Sequence, residues 1–338
     1  MKGDKTFPIE YSFNTFANVM YIDQPASVGF SKGTTPTNSV DAAKSTRKAL
    51  ESFFNKYQTY NSKVFLVGQS YAGHYIPALA EQMLQDKSPI RLRGVILGNS
   101  LVSSQIQFSS MPTMALKSGT VRSVISKAEY DAMVKDLPLV IDSMQQCLAH
   151  RDDVTLCKRS FDTYYGTLVD PVRRQNIDTY DLRLKCVKPF PECRNTEKFT
   201  TFFNNPRVQE YLGVSKVWMK SSKSVGEAFL GDMPVDYSSS LAKILDRGLK
   251  DYICNWIGSR QMAMAIQWAG KEGFSKAPDS RFFTRGGNPI GKLKTFTFKN
   301  TGGQLNFAQV FQAGHSAAED SPAGVLQLVD NFVFGRYR

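Results

Sequence analysis

The stretch Val64 to Met83, VFLVGQSYAGHYIPALAEQM, changes from an apolar, β-branched run to a helix-like pattern within a few residues. The first part is typical of a buried strand and the second part of a helix. No Asn-Gly or Pro-Gly pair is present to form an ordinary turn, so the corner falls at Ser70. We expect this serine to be held in a strained conformation, with its side chain directed out over the edge of a sheet.

Apolar runs alternate with helical patterns on both sides of this corner. The runs lie at residues 17–23 (ANVMYID), 63–68 (KVFLVG) and 93–99 (RGVILGN), and a helix is predicted from about Ser39 to Tyr57. Runs that are apolar on both faces and alternate with helices are typical of a parallel sheet covered by helices. The sequence therefore predicts an α/β fold.

The rest of the chain predicts an insertion followed by a return to the core. From about residue 101 to 199 the sequence is helical or irregular, without an evident strand, which indicates a helical, cysteine-containing cap. We expect a single domain over residues 1–338, with its core in residues 1–100 and 200–338. Later predicted elements are helices at 206–214 and 240–249, two strands within 294–314 joined at Thr301 to Gly303, and a last helix from Ser321 to Phe334.

Composition limits the classes of function. With 42% hydrophobic and 12% aromatic residues among 338, the chain is expected to fold around a large core. The net charge of +12 is dispersed, without a nucleic-acid-binding motif, so we expect a solvated basic surface and no nucleic-acid partner. No run is long enough to span a membrane, and MKGDKTFPIEYSF lacks the apolar stretch of a signal peptide. The sequence gives no sign of a metal or organic cofactor.

The five cysteines suggest an oxidising compartment. Cys147 and Cys157 form one close pair in the sequence, and Cys186 and Cys193 form another, which predicts two local disulfides. The alternative is a set of reduced, buried thiols in a cytosolic protein. A zinc site is disfavoured because no CxxC pair or His-x-x-x-His occurs.

Small residues surround the corner at Ser70. Gly68 precedes it by two, and Ala72 and Gly73 follow, so GQSYAG approximates the G-x-S-x-G nucleophile elbow. A helix that begins here would point backbone N–H groups at a developing oxyanion, and the N–H of Tyr71 would be one donor. The alternative is a serine that caps an ordinary helix.

The longer string GQSYAGHYIPALA resembles GESYAGHYxPxLA, the nucleophile motif of the serine carboxypeptidases, family S10 of the α/β-hydrolase fold. Other stretches resemble this family's DQPxGxGFS, GNG, D-[FY]-x-C-N-W and AGHMVPxDxP segments in the same order. They are YIDQPASVGFS (21–31), LGNSLV (97–102), DYICNW (251–256) and FQAGHSAAEDSP (311–322). The resemblance covers most of the chain and implies a mostly parallel sheet with helices on both faces.

The resemblance also implies a catalytic triad of Ser70, Asp251 and His315. A serine hydroxyl needs an imidazole to take its proton, and the imidazole needs a carboxylate to orient it. Of the three histidines, we expect His74 to be structural and His150 to be solvated, which leaves His315. Asp251 gives the chain order Ser, Asp, His of the α/β-hydrolases.

Two further positions are expected to contact substrate. Cys254 would, by resemblance, be a free thiol beside the pocket; the alternative is a small buried apolar residue. Gln69 stands where the family has a Glu that, when protonated, binds the terminal carboxylate of the substrate. An amide donates at every pH, so we expect Gln69 to keep that contact and to lose the acid dependence.

Two family features are missing from this sequence. The loop WLNGGPGCSS, which supplies a second oxyanion donor upstream of YIDQP, does not occur, so we expect a truncated relative. The family also reaches its catalytic Asp along an apolar strand, whereas LAKILDRGLK (241–250) has helical spacing. We therefore expect the strand before Asp251 to be absent and its neighbours in the sheet to be unpaired.

These features favour a serine-type carboxypeptidase that hydrolyses C-terminal peptide bonds of peptides or proteins through an acyl-enzyme on Ser70. One alternative is an impaired or inactive relative that acts as a binding or scaffold protein. Another is a carboxypeptidase-like acyltransferase. The resemblance implies a vacuolar, lysosomal or secreted location.

Overall fold

The structure is a computed structural model that describes residues 5–85, 88–188, 193, 196–246, 250–252 and 256–337, with the backbone alone at 250–252. Its centre is a six-stranded sheet formed by β1 (Val64–Ser70), β2 (Leu92–Ser100), β5 (Lys250–Tyr252), β6 (Asp279–Phe283), β7 (Pro289–Thr297) and β8 (Gln304–Val310). A separate pair is β3 (Ile177–Asp178) and β4 (Asp181–Lys185). The strand order of the large sheet is β1-β2-β5-β8-β7-β6. Strands β1, β2, β5 and β8 run parallel to one another, β7 is antiparallel to β8, and β6 is antiparallel to β7. The predicted α/β class is confirmed.

The helices lie on both faces of the sheet and in the cap. Those of the first part are α1 (Ser39–Lys56), α2 (Ala72–Gln85), α3 (Ser104–Phe108), α4 (Met111–Lys117), α5 (Lys127–Ala149), α6 (Val154–Tyr164) and α7 (Asp170–Arg173). Those of the second part are α8 (Glu197–Phe203), α9 (Pro206–Leu212), α10 (Lys223–Ala228), α11 (Ser238–Asp246), α12 (Trp256–Ala265), α13 (Lys271–Lys276), α14 (Ala317–Asp320) and α15 (Pro322–Val333). None of these described helices has both the length and the apolar character needed to cross a bilayer.

Strand β2 has apolar residues at the consecutive positions 95–97 because both of its faces are buried there. Val95 and Leu97 pack into the cluster formed with α1, α2, α11 and α12, whereas Ile96 packs on the opposite face with α15. Successive side chains of a strand point to opposite faces, so a strand covered on both sides needs apolar residues at consecutive positions. This is the pattern on which the α/β prediction depends.

The cap has a hydrophobic cluster of its own, formed by α3, α4, α5 and the segment 165–172. Both predicted disulfides are formed, Cys147 with Cys157 and Cys186 with Cys193. The prediction that the cap contains no strand is wrong, because β3 and β4 form a short antiparallel hairpin between them. The hairpin is too short, and too rich in polar residues, to produce an alternating pattern.

Three expectations about the sheet need correction. Residues 17–23 are not a strand: they run irregularly, and Tyr21 is 89% exposed. An apolar run becomes a strand only where another strand pairs with it, and none of the described strands pairs with this one. The second correction is strand β6, which the sequence pattern does not predict because its residues show no apolar alternation.

The third correction concerns the expected gap before Asp251. A three-residue strand, β5, lies between β2 and β8 and contains Asp251. Strand β8 is therefore not left unpaired: its residues Gln304, Leu305 and Asn306 pair with Lys250, Asp251 and Tyr252. Backbone hydrogen bonds do not require an apolar run, which is why sequence pattern did not reveal so short a strand.

Close packing at Gly73 sets how near helix α2 lies to the end of β2. A Cβ atom at Gly73 would lie 2.2 Å from the carbonyl oxygen of Leu101, a backbone atom that cannot swing aside. At Gly226, in helix α10, an added Cβ would meet nothing within 4 Å.

We expect Gly73→Ala to lower the free energy of unfolding by about 1–3 kcal/mol, the usual cost of overpacking. The matched change Gly226→Ala should raise it by about 0.5–1 kcal/mol, because alanine loses less backbone entropy in a helix. Urea unfolding of the two variants measures both effects. Equal stabilities of the two variants would contradict this account of the α2 contact.

Candidate active site

Ser70 occupies a sharp corner between a strand and a helix. Strand β1 ends at Ser70 and α2 begins at Ala72, so only Tyr71 separates them. Ser70 has a φ of +59°, in the left-handed region that a residue with a side chain rarely adopts. The register of β1 on β2 also shifts between Gln69 and Ser70. This is the strained elbow that the sequence predicts.

Small residues make the corner possible. A Cβ at Gly68 would lie 2.5 Å from the Cβ of Ala72 and 2.9 Å from a carbon of Ile76, both on α2. The helix can therefore fold back onto its own strand only with glycine at position 68. The first N–H groups of a helix have no hydrogen-bond partner within the helix. Tyr71 directly precedes α2, so its backbone N–H is in a position to donate to an oxyanion.

The loop that carries His315 lies directly beside this corner. The side-chain amide of Gln69 donates to the backbone carbonyl of His315 at 2.7 Å. The N–H of His315 in turn donates to the carbonyl of Tyr180 at 2.8 Å, and the two rings lie 4.9 Å apart between centroids. Strand β1, the His315 loop and the cap hairpin thus meet at one place.

A charged clamp holds the His315 loop against the hairpin. The guanidinium of Arg183 bonds both carboxylate oxygens of Asp181, at 2.8 and 2.6 Å, and also Asp320 at 2.9 Å. Arg183 also donates to the carbonyl of Gln312, and Asp320 accepts from the N–H of Gly314 at 2.6 Å. These hydrogen bonds raise the pKa of Arg183, so the guanidinium stays charged. The loop is therefore fixed on both sides of Gly314.

The strand register gives the level of the Asp251 backbone within the sheet. Lys250 pairs with Gly94 of β2, and Val95, the next residue of that strand, pairs with Leu66 of β1. The Asp251 backbone is thus level with Leu66, four residues before Ser70. At about 3.3 Å per residue this is roughly 13 Å along the strand direction. The side chain of Asp251 and all of Cys254 lie outside the described residues, so their predicted roles remain predictions.

A large cavity opens beside the corner. Its volume is about 1190 Å³, and its wall includes Gln69, Tyr164, Tyr165, Trp256 and His315. Ser70 is not among the lining residues, whereas its neighbours Gly68 and Gln69 are. An apolar cavity with a few convergent polar groups is the usual form of a small-molecule site.

The two remaining histidines occupy the places that the sequence predicts. His74 is fully buried, and burial lowers its pKa. Its Nδ1 lies 2.7 Å from the carbonyl oxygen of Leu101 and its Nε2 lies 3.3 Å from that of Met233, so both ring nitrogens face backbone acceptors. His150 is exposed at the C-terminal end of α5.

Sequence reasoning missed the residues that hold the site in place. Arg183 and its partner Asp320 are 137 residues apart in the sequence. Tyr71 and the buried Asp232, to which its hydroxyl donates, are 161 residues apart. No pattern within one segment could pair residues so far apart. One signal was available, since Asp320 lies within the string FQAGHSAAEDSP that also contains His315.

A strand-to-helix corner at a serine, at the end of a parallel strand and beside a histidine loop that follows a later strand of the same sheet, is typical of the α/β-hydrolase fold. The sequence profile of the serine carboxypeptidases matches residues 2–335. The chain therefore belongs to the serine carboxypeptidase family, as its motifs suggest.

Individual relatives agree with this family. Carboxypeptidase Y of Candida albicans is 28% identical over 97% of this chain, and carboxypeptidase Y homolog A of Podospora anserina is 30% identical over 97%. The chain spans only 62% and 61% of the lengths of these two proteins. The crystal structure of Kex1(delta)p, a prohormone-processing carboxypeptidase from Saccharomyces cerevisiae, matches with a TM-score of 0.76 at 18% identity. That match covers 99% of this chain and 77% of the other, and it supports the fold.

The bond from Gln69 to His315 predicts the effect of a glutamate at this position. In Gln69→Glu the new carboxyl can donate to the His315 carbonyl only in its neutral form, which raises its pKa above the usual value of about 4.3. The bond should be present at low pH and lost as pH rises through that pKa. We expect reactivity of Ser70 to fall with rising pH in this variant and not in the wild type.

The measurement is the pH profile of the rate at which a fluorophosphonate probe labels Ser70. Gln69→Met, which has a similar shape and no donor, serves as the control and should react slowly at every pH. Superimposable profiles for Gln69→Glu and the wild type would show that this bond has no influence on the site.

Proposed function

We propose that this protein is a serine-type carboxypeptidase that releases residues from the C-termini of peptides or proteins. The observation that carries the proposal is the corner at Ser70, joined through Gln69 to the backbone of His315 at 2.7 Å. Membership of the serine carboxypeptidase family supports the substrate class.

The proposed reaction is acyl transfer to the serine followed by hydrolysis. The Ser70 hydroxyl attacks the carbonyl carbon of the last peptide bond while His315 accepts its proton. The N–H of Tyr71 donates to the oxygen that becomes negative. His315 then gives the proton to the departing amino group, which leaves an acyl-enzyme, and water activated by His315 releases the peptide from Ser70.

The neighbouring side chains supply the remaining roles in this proposal. Gln69 uses one amide hydrogen for the His315 carbonyl and has a second for the terminal carboxylate of a substrate. Cys254 is proposed as a further residue beside the substrate. Asp251 is proposed as the acid that orients His315.

The two disulfides support an oxidising location, such as a vacuole, a lysosome or the outside of the cell.

Labelling by a fluorophosphonate probe tests the proposal. We expect the wild type to be labelled, Ser70→Ala to be inert, and His315→Ala to react slower by about 10⁴-fold or more.

An N-blocked dipeptide with a free carboxylate should be cleaved, whereas its C-terminal amide should not. An unlabelled wild type would indicate a binding or scaffold protein, and labelling with transfer to an added alcohol in place of hydrolysis would indicate an acyltransferase.

The variant Asp251→Asn tests the proposed role of Asp251. Replacing the acid that orients a catalytic histidine by its amide lowers the rate by about 10⁴-fold, so we expect a decrease of this size in the labelling rate of Asp251→Asn. His315→Ala is the reference for a full loss. A decrease of less than about tenfold would mean that another group orients His315.

A further inference from the structure

A fully buried carboxylate, Asp232, lies behind the nucleophile corner. It accepts hydrogen bonds from three hydroxyl groups, those of Ser39 at 2.5 Å, Tyr71 at 3.0 Å and Tyr237 at 2.8 Å. Ser39 begins α1, Tyr71 precedes α2, and Tyr237 precedes α11. One carboxylate thus connects the starts of three helices.

Both oxygens of Asp232 are satisfied by hydrogen-bond donors. Two hydroxyls donate to Oδ2 and one to Oδ1, so both oxygens act as acceptors. Burial and the nearby carboxylate raise the pKa values of Tyr71 and Tyr237, so both phenols keep their protons and remain donors. A buried polar group is tolerated where hydrogen bonds compensate for its lost hydration, as these three hydroxyls do for Asp232.

Tyr71 is the member of this network that touches the reaction centre. It follows Ser70 directly, so its backbone forms part of the strained corner, while its hydroxyl is anchored at Asp232. Its ring stacks on buried His74 with 4.6 Å between centroids and lies edge-on to Tyr75 at 5.2 Å. The side chain of Tyr71 is therefore held at its hydroxyl and along its ring, and its backbone carries the N–H assigned to the oxyanion.

We propose that Asp232 is a positioning residue for this reaction, which acts through the Tyr71 hydroxyl to fix the backbone N–H that stabilises the oxyanion. The inference rests on the proposed function, because it assigns that N–H a role in acyl transfer. A donor of this kind has to be held within about 0.5 Å of its productive position to be effective. A strained corner would relax unless its neighbours were anchored, and Asp232 is the anchor for Tyr71.

Two phenylalanine variants separate positioning from stability. Tyr71→Phe and Tyr237→Phe each remove one buried hydroxyl from the same carboxylate, so both should lower the midpoint of urea unfolding by a similar amount. Only Tyr71 belongs to the corner. We expect Tyr71→Phe to lower the maximal labelling rate of Ser70 by about tenfold without changing probe affinity. This decrease is smaller than the roughly 10²–10³-fold decrease in rate that follows removal of a whole oxyanion donor, because the N–H itself remains. Tyr237→Phe should keep the wild-type rate.

Asp232→Asn provides a rescue test. Its amide oxygen can still accept from Tyr71 and Ser39, while its NH₂ group can donate to the Tyr237 oxygen. We expect the labelling rate of Asp232→Asn to lie closer to the wild type than that of Asp232→Ala. If Asp232→Ala does not fold, the two phenylalanine variants still decide the question.

Amide hydrogen exchange at Ser70 to Gly73 gives a readout that does not need activity. It should be about tenfold faster in Tyr71→Phe than in Tyr237→Phe. Equal labelling rates and equal exchange in these two variants would overturn the positioning role. A wild type that is never labelled would instead refute the proposed function, and the exchange comparison would still decide whether Asp232 fixes the corner.

Discussion

The site depends on a single steric constraint, the one-residue turn between β1 and α2. A chain can reverse from strand to helix over one residue only if the helix lies almost against the strand, and contact at Gly68 and Gly73 permits this. The same closeness forces Ser70 into the left-handed region of backbone conformation. The strain at the serine is thus a direct consequence of packing, and the surrounding contacts have to maintain it.

Those contacts come from distant parts of the chain and act on residues on each side of the serine. Gln69, before it, bonds the backbone of His315, and Tyr71, after it, bonds buried Asp232. The first contact fixes the corner relative to the histidine loop. The second fixes it relative to the starts of α1 and α11. Neither depends on the side chain of Ser70, which leaves its hydroxyl available for chemistry.

Local sequence pattern was sufficient for the elements that carry their own signal. The apolar run of β2, the strand-to-helix change at Ser70, the helix from Ser39 and the helix at 322–333 were all predicted within a few residues. Pattern was insufficient where pairing decides. Residues 17–23 are apolar without being a strand, whereas Lys250–Tyr252 form a strand without being apolar. The contacts of Arg183 with Asp320 and of Asp232 with Tyr71 join residues more than 100 positions apart, and no single segment encodes such pairs.

The clamp at Arg183 has a consequence for how the solvent acts on this protein. Both disulfides lie within the cap, so no described covalent link ties the cap hairpin to the His315 loop. That junction is held in large part by a guanidinium and two carboxylates, with Arg183 and Asp320 each 29% exposed at the side chain. Attraction between partly exposed charges weakens as the Debye length shortens, from about 10 Å at 0.1 M salt to about 3 Å at 1 M. The position of the His315 loop against the cap hairpin is therefore a property that ionic strength can tune, even while the hydrophobic core stays intact.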